Sequence, residues 1–248
     1  MTPSSTPGRV GDADASRPAP IPDGGRPDRA GAVRQFYGRW AAVYDAVARH
    51  APLVDRYRRR AVAALDLEAG DTVVELGCGS GANLGHLRRA VGDAGRVLGV
   101  DLTPELLARA GDRAADHGWE NVSLVRGDAS RPPLSGPVDG VLATFLLGLL
   151  DRPAAAVRRW AALVGAGGRV ASLEATRSDH AVGRLFNPAF DAFVAAGSPS
   201  GASAGGDPAA RLDDRVAAAD HALASVAAET RRRRGGLGFL RLIVGTVD

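Results

Sequence analysis

The residues whose spacing could do chemistry run from position 75 to 83: Glu75-Leu76-Gly77-Cys78-Gly79-Ser80-Gly81-Ala82-Asn83. Glycine at every second position lets the backbone turn sharply and approach a ligand with no Cβ in the way. A helix starting just beyond the loop offers unpaired N–H groups to the same ligand. Asp101, twenty positions beyond Gly81, stands where a doubly wound sheet places an acid for ribose hydroxyls. Read as Gly77-x-Gly79-x-x-Ala82, the loop also satisfies the dinucleotide fingerprint, so the loop by itself leaves the ligand open. The acids narrow the choice. Glu75 before the loop, Asp101 after the second strand and Asp128 after the third put three carboxylates around one pocket. They would repel a pyrophosphate and stabilise a cation such as a sulfonium beside an ammonium group.

The elements that must position these residues alternate in type. Short apolar runs at 72–76, 96–100, 122–126, 138–146 and 169–174 read as strands. The segments 82–91, 104–117 and 153–164 read as helices, with Thr103 as an N-cap and a turn at 165–168. Crossover helices between apolar strands imply a parallel sheet covered on both faces, with right-handed connections. A helical pattern at 54–65 precedes the first strand, and a helix at 211–228 and a closing strand at 239–247 follow the last crossover. Further upstream, Val33, Phe36, Tyr37, Trp40, Val43, Tyr44 and Val47 recur at helical spacing and form an apolar stripe. Residues 1–32 contain no aromatic side chain and are rich in Pro, Gly, Ser and Asp, a composition expected of a disordered tail.

As a set, the ELGCGSG loop, VDLTPELL at 100–107, GDA at 127–129 and LVGAGGRV at 163–170 resemble the successive motifs of class I methyltransferases that use S-adenosyl-L-methionine (SAM). The segment Phe36-Tyr37-x-x-Trp40-Ala41-x-x-Tyr44-Asp45 resembles the N-terminal helix of the ubiquinone/menaquinone C-methyltransferase group. The resemblance covers about residues 33–176. It implies an α/β, Rossmann-like, doubly wound and mostly parallel sheet with an antiparallel last strand. It also implies that Gly77, Gly79 and Gly81 wrap the methionine part of SAM, with Glu75 and Cys78 in the same loop. Asp101 would bind the ribose hydroxyls, Leu102 would pack on adenine, and Asp128 and Ala129 would receive its edge. Thr144 would face the sulfonium, and Tyr44 would close the pocket. Structural alternatives exist for several of these: a helix cap for Asp101, a turn for Asp128, plain packing for Cys78 and Tyr44.

Methyl transfer from a sulfonium is an in-line displacement that depends chiefly on alignment. A general base is needed only for an acceptor whose proton has a high pKa, and Asp179 and His180, just beyond the fifth strand, are the candidates. The segment 177–208 carries Phe186, Phe190 and Phe193, spaced as one helix face, and a Gly/Ser/Ala stretch at 197–206, and is expected to insert over the acceptor, so a small apolar, lipid-like or quinone-like acceptor is expected. The tyrosine-rich stretch that usually follows the fifth strand of the quinone enzymes is missing, which leaves phospholipid amines and other small molecules open.

The chain has 248 residues, so 33–248 holds one large α/β domain after the tail. A net charge of +3, with arginine as the sole strong base, gives no reason to expect nucleic acid as a partner; Arg56, Arg58, Arg59 and Arg60, and the run 231–234, read as solvated faces or helix ends. Peripheral contact with a membrane stays open. The lone Cys78 excludes an internal disulfide and a thiolate metal cluster, and the longest apolar stretch is too short to span a bilayer, which together point to the cytoplasm. Two rival functions share these features. One is an NAD-dependent oxidoreductase, which lacks here the Tyr/Lys pair its chemistry would use. The other is a SAM-binding module without catalysis.

Overall fold

The computed structural model describes residues 52–196 and 206–248. The tail, the apolar stripe with Tyr44, and most of the Gly/Ser/Ala stretch lie outside the described residues. Helix α1 (Pro52–Ala63) leads into β1 (Thr72–Leu76), α2 (Leu84–Val91), β2 (Arg96–Asp101), α3 (Pro104–Asp116) and β3 (Val122–Arg126). β4 (Val138–Thr144), α4 (Pro153–Leu163) and β5 (Val164–Ala175) follow. α5 (Asn187–Ala196), α6 (Pro208–Ala224), β6 (Glu229–Gly235) and β7 (Leu240–Thr246) complete the described chain.

The strands form one sheet in the order β3-β2-β1-β4-β5-β7-β6. β1 to β5 run parallel, and β7 is antiparallel both to β5 and to β6. This is the mostly parallel, doubly wound α/β sheet that the alternation of elements implies, closed by a reversed strand. Successive residues of β1 go to opposite faces, as a pleated strand requires. Val73 packs with Ala61, Leu84, Leu87 and Leu142 under α1 and α2. Val74 and Leu76 pack with Val141, Trp160, Val216 and Ile243 under α4 and α6. Each fully buried leucine in these layers contributes about 1.5–3 kcal/mol relative to an exposed one.

Several boundaries differ from the sequence expectation. α2 begins at Leu84 rather than 82, because the Gly-rich turn continues through Asn83. The expected turn at 165–168 is part of β5, since Val164 already pairs with Val138 and Gly167 N–H donates to Val247 O at 2.7 Å. α6 starts at Pro208 because Asp207 caps it, accepting from the N–H groups of Ala209 and Ala210 at 2.9 and 3.3 Å. It stops at Ala224, leaving room for β6, which the sequence reading missed. Glu-Thr-Arg-Arg-Arg-Arg-Gly shows no apolar alternation; it is a strand because β7 offers it an open edge in register from Glu229↔Thr246 to Gly235↔Leu240. The arginine run is therefore a solvated edge strand and not a helix end, with Arg231, Arg232 and Arg234 paired to Glu229, Asp220 and Asp179. The three phenylalanines of 177–208 do not share one helix. Phe186 ends a short 3-10 turn (Gly183–Phe186) before α5, while Phe190 packs on Phe239 with ring centres 5.4 Å apart.

The carboxyl edge of the sheet is braced from β5. Glu174, 1% exposed, accepts through Oε1 from the N–H groups of Leu146 and Leu147 at 3.1 Å and from Ser172 Oγ at 3.0 Å. Those bonds set the chain after β4, where Phe145 takes a left-handed φ of 55°. Burial pushes the Glu174 carboxyl up to about 7 against these hydrogen bonds. The folded state thus holds the proton more tightly than the unfolded chain. The stability this adds is present below about 4.5 and is lost as pH rises through about 7. Thermal melts between pH 5 and pH 8 should accordingly show a falling Tm in the wild type and a shallower fall in Glu174→Gln; equal slopes would refute it.

Candidate functional site

The loop between β1 and α2 is a tight left-handed turn. Gly77 and Gly79 adopt φ of 67° and 55°, which glycine reaches without the penalty other residues meet. At Gly77 a Cβ would also strike Leu146 Cδ1 at 2.9 Å, whereas at Gly79 it would meet nothing within 4 Å. The loop is thus packed on one side and open on the other. Gly81, at φ 80°, completes the turn by donating its N–H to Cys78 O at 2.9 Å.

Asp101, at the end of β2 and 9% exposed, ties this loop to the neighbouring strand. Its Oδ2 accepts from Gly79 N–H at 2.9 Å and its Oδ1 from Thr103 N–H at 2.8 Å. Thr103 is the N-cap of α3 but makes no side-chain cap bond, so the Asp101 carboxylate serves that turn. Each carboxylate oxygen retains a second lone pair, which keeps Asp101 able to accept from a diol. Leu102 beside it is 46% exposed, an apolar surface at the loop's edge.

Beneath the loop lies a polar network that the sequence reading found only in part. Glu75 is 1% exposed and accepts through Oε1 from Asn83 Nδ2; its Oε2 has no hydrogen-bond partner among the described residues. Asn83 Nδ2 also donates to Thr144 Oγ1 at 3.0 Å. Arg58 Nη1 donates to Asn83 Oδ1 at 3.0 Å and to Thr144 Oγ1 at 3.2 Å. Thr144, expected at the end of β4, is there, with its hydroxyl locked between Arg58 and Asn83. Burial pushes the Glu75 carboxyl up to about 7; the Asn83 hydrogen bond and the Arg58 charge work against the rise, and Asp101 adds to it.

Arg58 and Asn83 were missed. Arg58 sits in an arginine-rich run that reads as solvated, yet it is 7% exposed, unlike its neighbours Arg56, Arg59 and Arg60. The available signal was spacing, since Arg58 falls three and four positions before the buried Ala61 and Val62 and so shares their helix face. Asn83 stands two positions after Gly81, at the N-cap of α2, and is fully buried, where a polar residue has no solvent to face.

The remaining sites differ in standing. Cys78 is buried, and its thiol is pushed well above the ordinary range by burial, with Glu75 and Asp101 adding to the rise. It is a packed small side chain rather than a nucleophile. Asp128 is exposed and accepts from both Ser130 N–H at 2.8 Å and Ser130 Oγ at 2.9 Å, the geometry of a turn. Ala129 is buried, and its carbonyl accepts from Trp160 Nε1 at 2.8 Å. Asp179 and His180 are exposed beyond β5, beside the β6–β7 turn. Asp179 is paired with Arg234 Nη1 at 2.8 Å, and His180 Nδ1 faces Val182 N–H at 3.3 Å. Tyr44 lies outside the described residues.

A cradle of bare backbone flanked by the buried carboxylates of Glu75 and Asp101 suits a nucleoside that carries positive charge. Residues 73–168 match the model of a methyltransferase domain family. The chain is 32% identical over 114 residues to the aklanonic acid methyltransferase DauC of Streptomyces sp. (strain C5), covering 46% of this chain and 52% of that one. It is 30% identical over 138 residues to the nocamycin O-methyltransferase of Saccharothrix syringae, covering 54% and 48%. It spans about half the length of these curated relatives. A SAM-dependent methyltransferase from Aquifex aeolicus shares the fold at a TM-score of 0.55 and 17% identity, over 77% of this chain and 89% of that one. Residues 73–168 thus match a methyltransferase domain, set in a Rossmann-like fold that a SAM-dependent methyltransferase shares.

The acid set fits SAM as a cofactor, since Glu75 Oε2, a buried acceptor with no partner among the described residues, would be relieved by a cationic ligand. Asp101→Ala removes the acceptor shared by two loop N–H groups and any bond to the ribose. SAM affinity should fall by about 1–3 kcal/mol, measured by calorimetric titration; a variant that binds SAM as the wild type does would remove Asp101 from the site.

Proposed function

We propose that the whole protein transfers a methyl group from SAM to a small, largely apolar acceptor held over the carboxyl edge of the sheet. The observation that carries this reading is the loop itself. Asp101 closes it at Gly79 N–H, and the buried Glu75 beneath it makes the cradle favourable for a sulfonium and unfavourable for a diphosphate. In this reading Gly77, Gly79 and Gly81 wrap the amino-acid part, Asp101 accepts from the ribose hydroxyls, and Leu102 covers one face of adenine. Asp128 receives the adenine edge, and Ala129, whose carbonyl is already engaged, contributes through its surface and backbone N–H.

The bound cofactor supplies an electrophilic methyl carbon with a neutral thioether as leaving group. The protein's part is alignment and exclusion of water. Exposed apolar side chains after β5, Val182, Leu185, Phe186 and Phe193, together with Leu237 in the β6–β7 turn, supply the apolar surface for the acceptor. The relatives' names, an aklanonic acid methyltransferase and a nocamycin O-methyltransferase, support a small-molecule acceptor, and quinone-like compounds fall within that class. Asp179 and His180 stand beside this surface. In this reading His180 serves as base for a hydroxyl or amine acceptor, exchanging the Val182 N–H bond at its Nδ1 for the acceptor's proton, while Asp179 is paired with Arg234. No described helix is long and apolar enough to cross a membrane.

Titration with SAM, S-adenosylhomocysteine and NADH tests the cofactor, with micromolar binding of the first two expected and binding of NADH alone refuting the proposal. Incubation with methyl-labelled SAM and a cell extract, followed by mass analysis, identifies the acceptor; SAM binding without transfer would favour a non-catalytic module. Because Glu75 must be ionised to favour a cation, SAM affinity should tighten as pH rises through about 7. The tightening should vanish in Glu75→Gln, and a flat wild-type profile would count against a role for Glu75.

A further inference from the structure

We infer that a cleft on the outer side of α2, apart from the cofactor cradle, binds a small phosphate ester, with its dianion between Arg89 and Arg113 and its organic part on Trp119.

Placement comes first. The cleft holds about 200 Å3 and is lined by Asp55 of α1, by Gly85, His86 and Arg89 of α2, and by Arg113 and Trp119 at the end of α3. α2 buries Leu84, Leu87 and Val91 in the core. Gly85, His86 and Arg89, three and four positions apart, share a different face of that helix. In a parallel sheet the crossover helices start at the carboxyl edge of the strands and run back along them. Arg89 and Arg113 stand in the last turns of α2 and α3, so both lie toward the far edge, away from the loop glycines. Arg58 borders the cleft on its inner side and turns Nη1 to Asn83 and Thr144.

Charge decides what the cleft takes. Asp55 is the one acid among its described lining residues, and it is already engaged by Arg59 and, at 2.9 Å, by His86 Nε2. Arg88 is likewise paired, with Asp93. Arg89 and Arg113 make no ion pair and no side-chain hydrogen bond among the described residues. Complementing the helix dipoles accounts for basic residues at these two helix ends, but does not require them to share a cleft. An anion between the two guanidinium groups offsets their mutual repulsion and gives both sets of donors an acceptor.

The shape of the ligand follows. The three terminal oxygens of a phosphate monoester can meet both arginines, whereas a carboxylate has only two oxygens, which one guanidinium can occupy. A Cβ at Gly85 would stand 2.9 Å from Trp119 Cη2, so this glycine, a residue helices disfavour, lets the indole lie against the backbone of α2 and wall the cleft. An indole wall suits a ring or other apolar group. At about 200 Å3 the cleft is smaller than the roughly 300–1,000 Å3 of sites for drug-sized molecules, which limits the ligand to a small ester.

The probes are phenyl phosphate, inorganic phosphate and phenol, titrated calorimetrically into the full chain at low salt. Phenyl phosphate should bind several-fold more tightly than inorganic phosphate, and phenol should not bind at all. Added salt should weaken the binding, because the charges involved are partly open to solvent. Arg89→Gln and Arg113→Gln should each weaken phenyl phosphate about tenfold, and saturating SAM should leave its affinity unchanged. Thermal melts report whether each variant folds; Arg89 is exposed, so Arg89→Gln carries the test should Arg113→Gln fail to fold. No binding of phenyl phosphate at millimolar concentration overturns the inference. Binding that survives Arg89→Gln undiminished, or that SAM displaces, does the same, since the probe would then sit elsewhere. Equal affinity for phenyl phosphate and inorganic phosphate overturns the ester and its contact with Trp119.

Discussion

Glu75 is sealed near the end of β1 with only one of its oxygens hydrogen-bonded among the described residues, and much of the structure around it answers to that fact. A buried carboxylate without compensation would cost several kcal/mol or stay protonated. Compensation comes from separate parts of the chain: Asn83 from the start of α2, the charge of Arg58 from α1, and Thr144 from β4, which joins the other two. None of these groups is close to another in sequence except Asn83 and Glu75. The network therefore exists only when α1, the loop and β4 are packed together, and the loop's conformation is coupled to the docking of a helix that precedes the sheet.

Two further ties make the carboxyl edge rigid. Asp101 fastens the loop to the end of β2, and Glu174 fastens the chain after β4 to the end of β5. In both cases a carboxylate accepts two backbone N–H groups, satisfying donors that would otherwise be orphaned in a partly dry environment. α1 is held at a second point as well, since Tyr57 Oη accepts from Gly236 N–H at 3.1 Å in the β6–β7 turn. The reversed hairpin of the sheet thus braces the same helix that carries Arg58. A site assembled in this way presents fixed dipoles and charges to a ligand, which is the condition for catalysis by alignment.

The sequence made the class of fold legible because the signals were local and repeated. The runs at 72–76 and 122–126 coincide with β1 and β3 to the residue, and α3 and α4 were placed to within a residue at each end. Proline at the first helical position and a polar residue before it mark those helix starts. β6 was illegible for the opposite reason. Its residues have no pattern of their own, and only hydrogen bonding to β7 makes them a strand. The phenylalanines after β5 misled in a related way, because helical spacing says nothing about whether one helix or a 3-10 turn followed by a helix realises it.

The same division runs through the site. From sequence alone came the glycines, whose missing Cβ is a property of residue type, and the acids Glu75, Asp101 and Asp128, whose places at strand ends follow from the alternation of elements. Tertiary packing decided how each of them is held: it sealed Glu75, tied Asp101 to the loop, and turned Asp128 onto Ser130. It also selected Arg58 from a run of four arginines spread over 56–60 by turning that one position toward the sheet. The reason is physical. Periodicity and turn chemistry act over a few residues and are written in order along the chain, whereas burial and charge compensation depend on which distant segments meet, and that is fixed only when the whole sheet has formed.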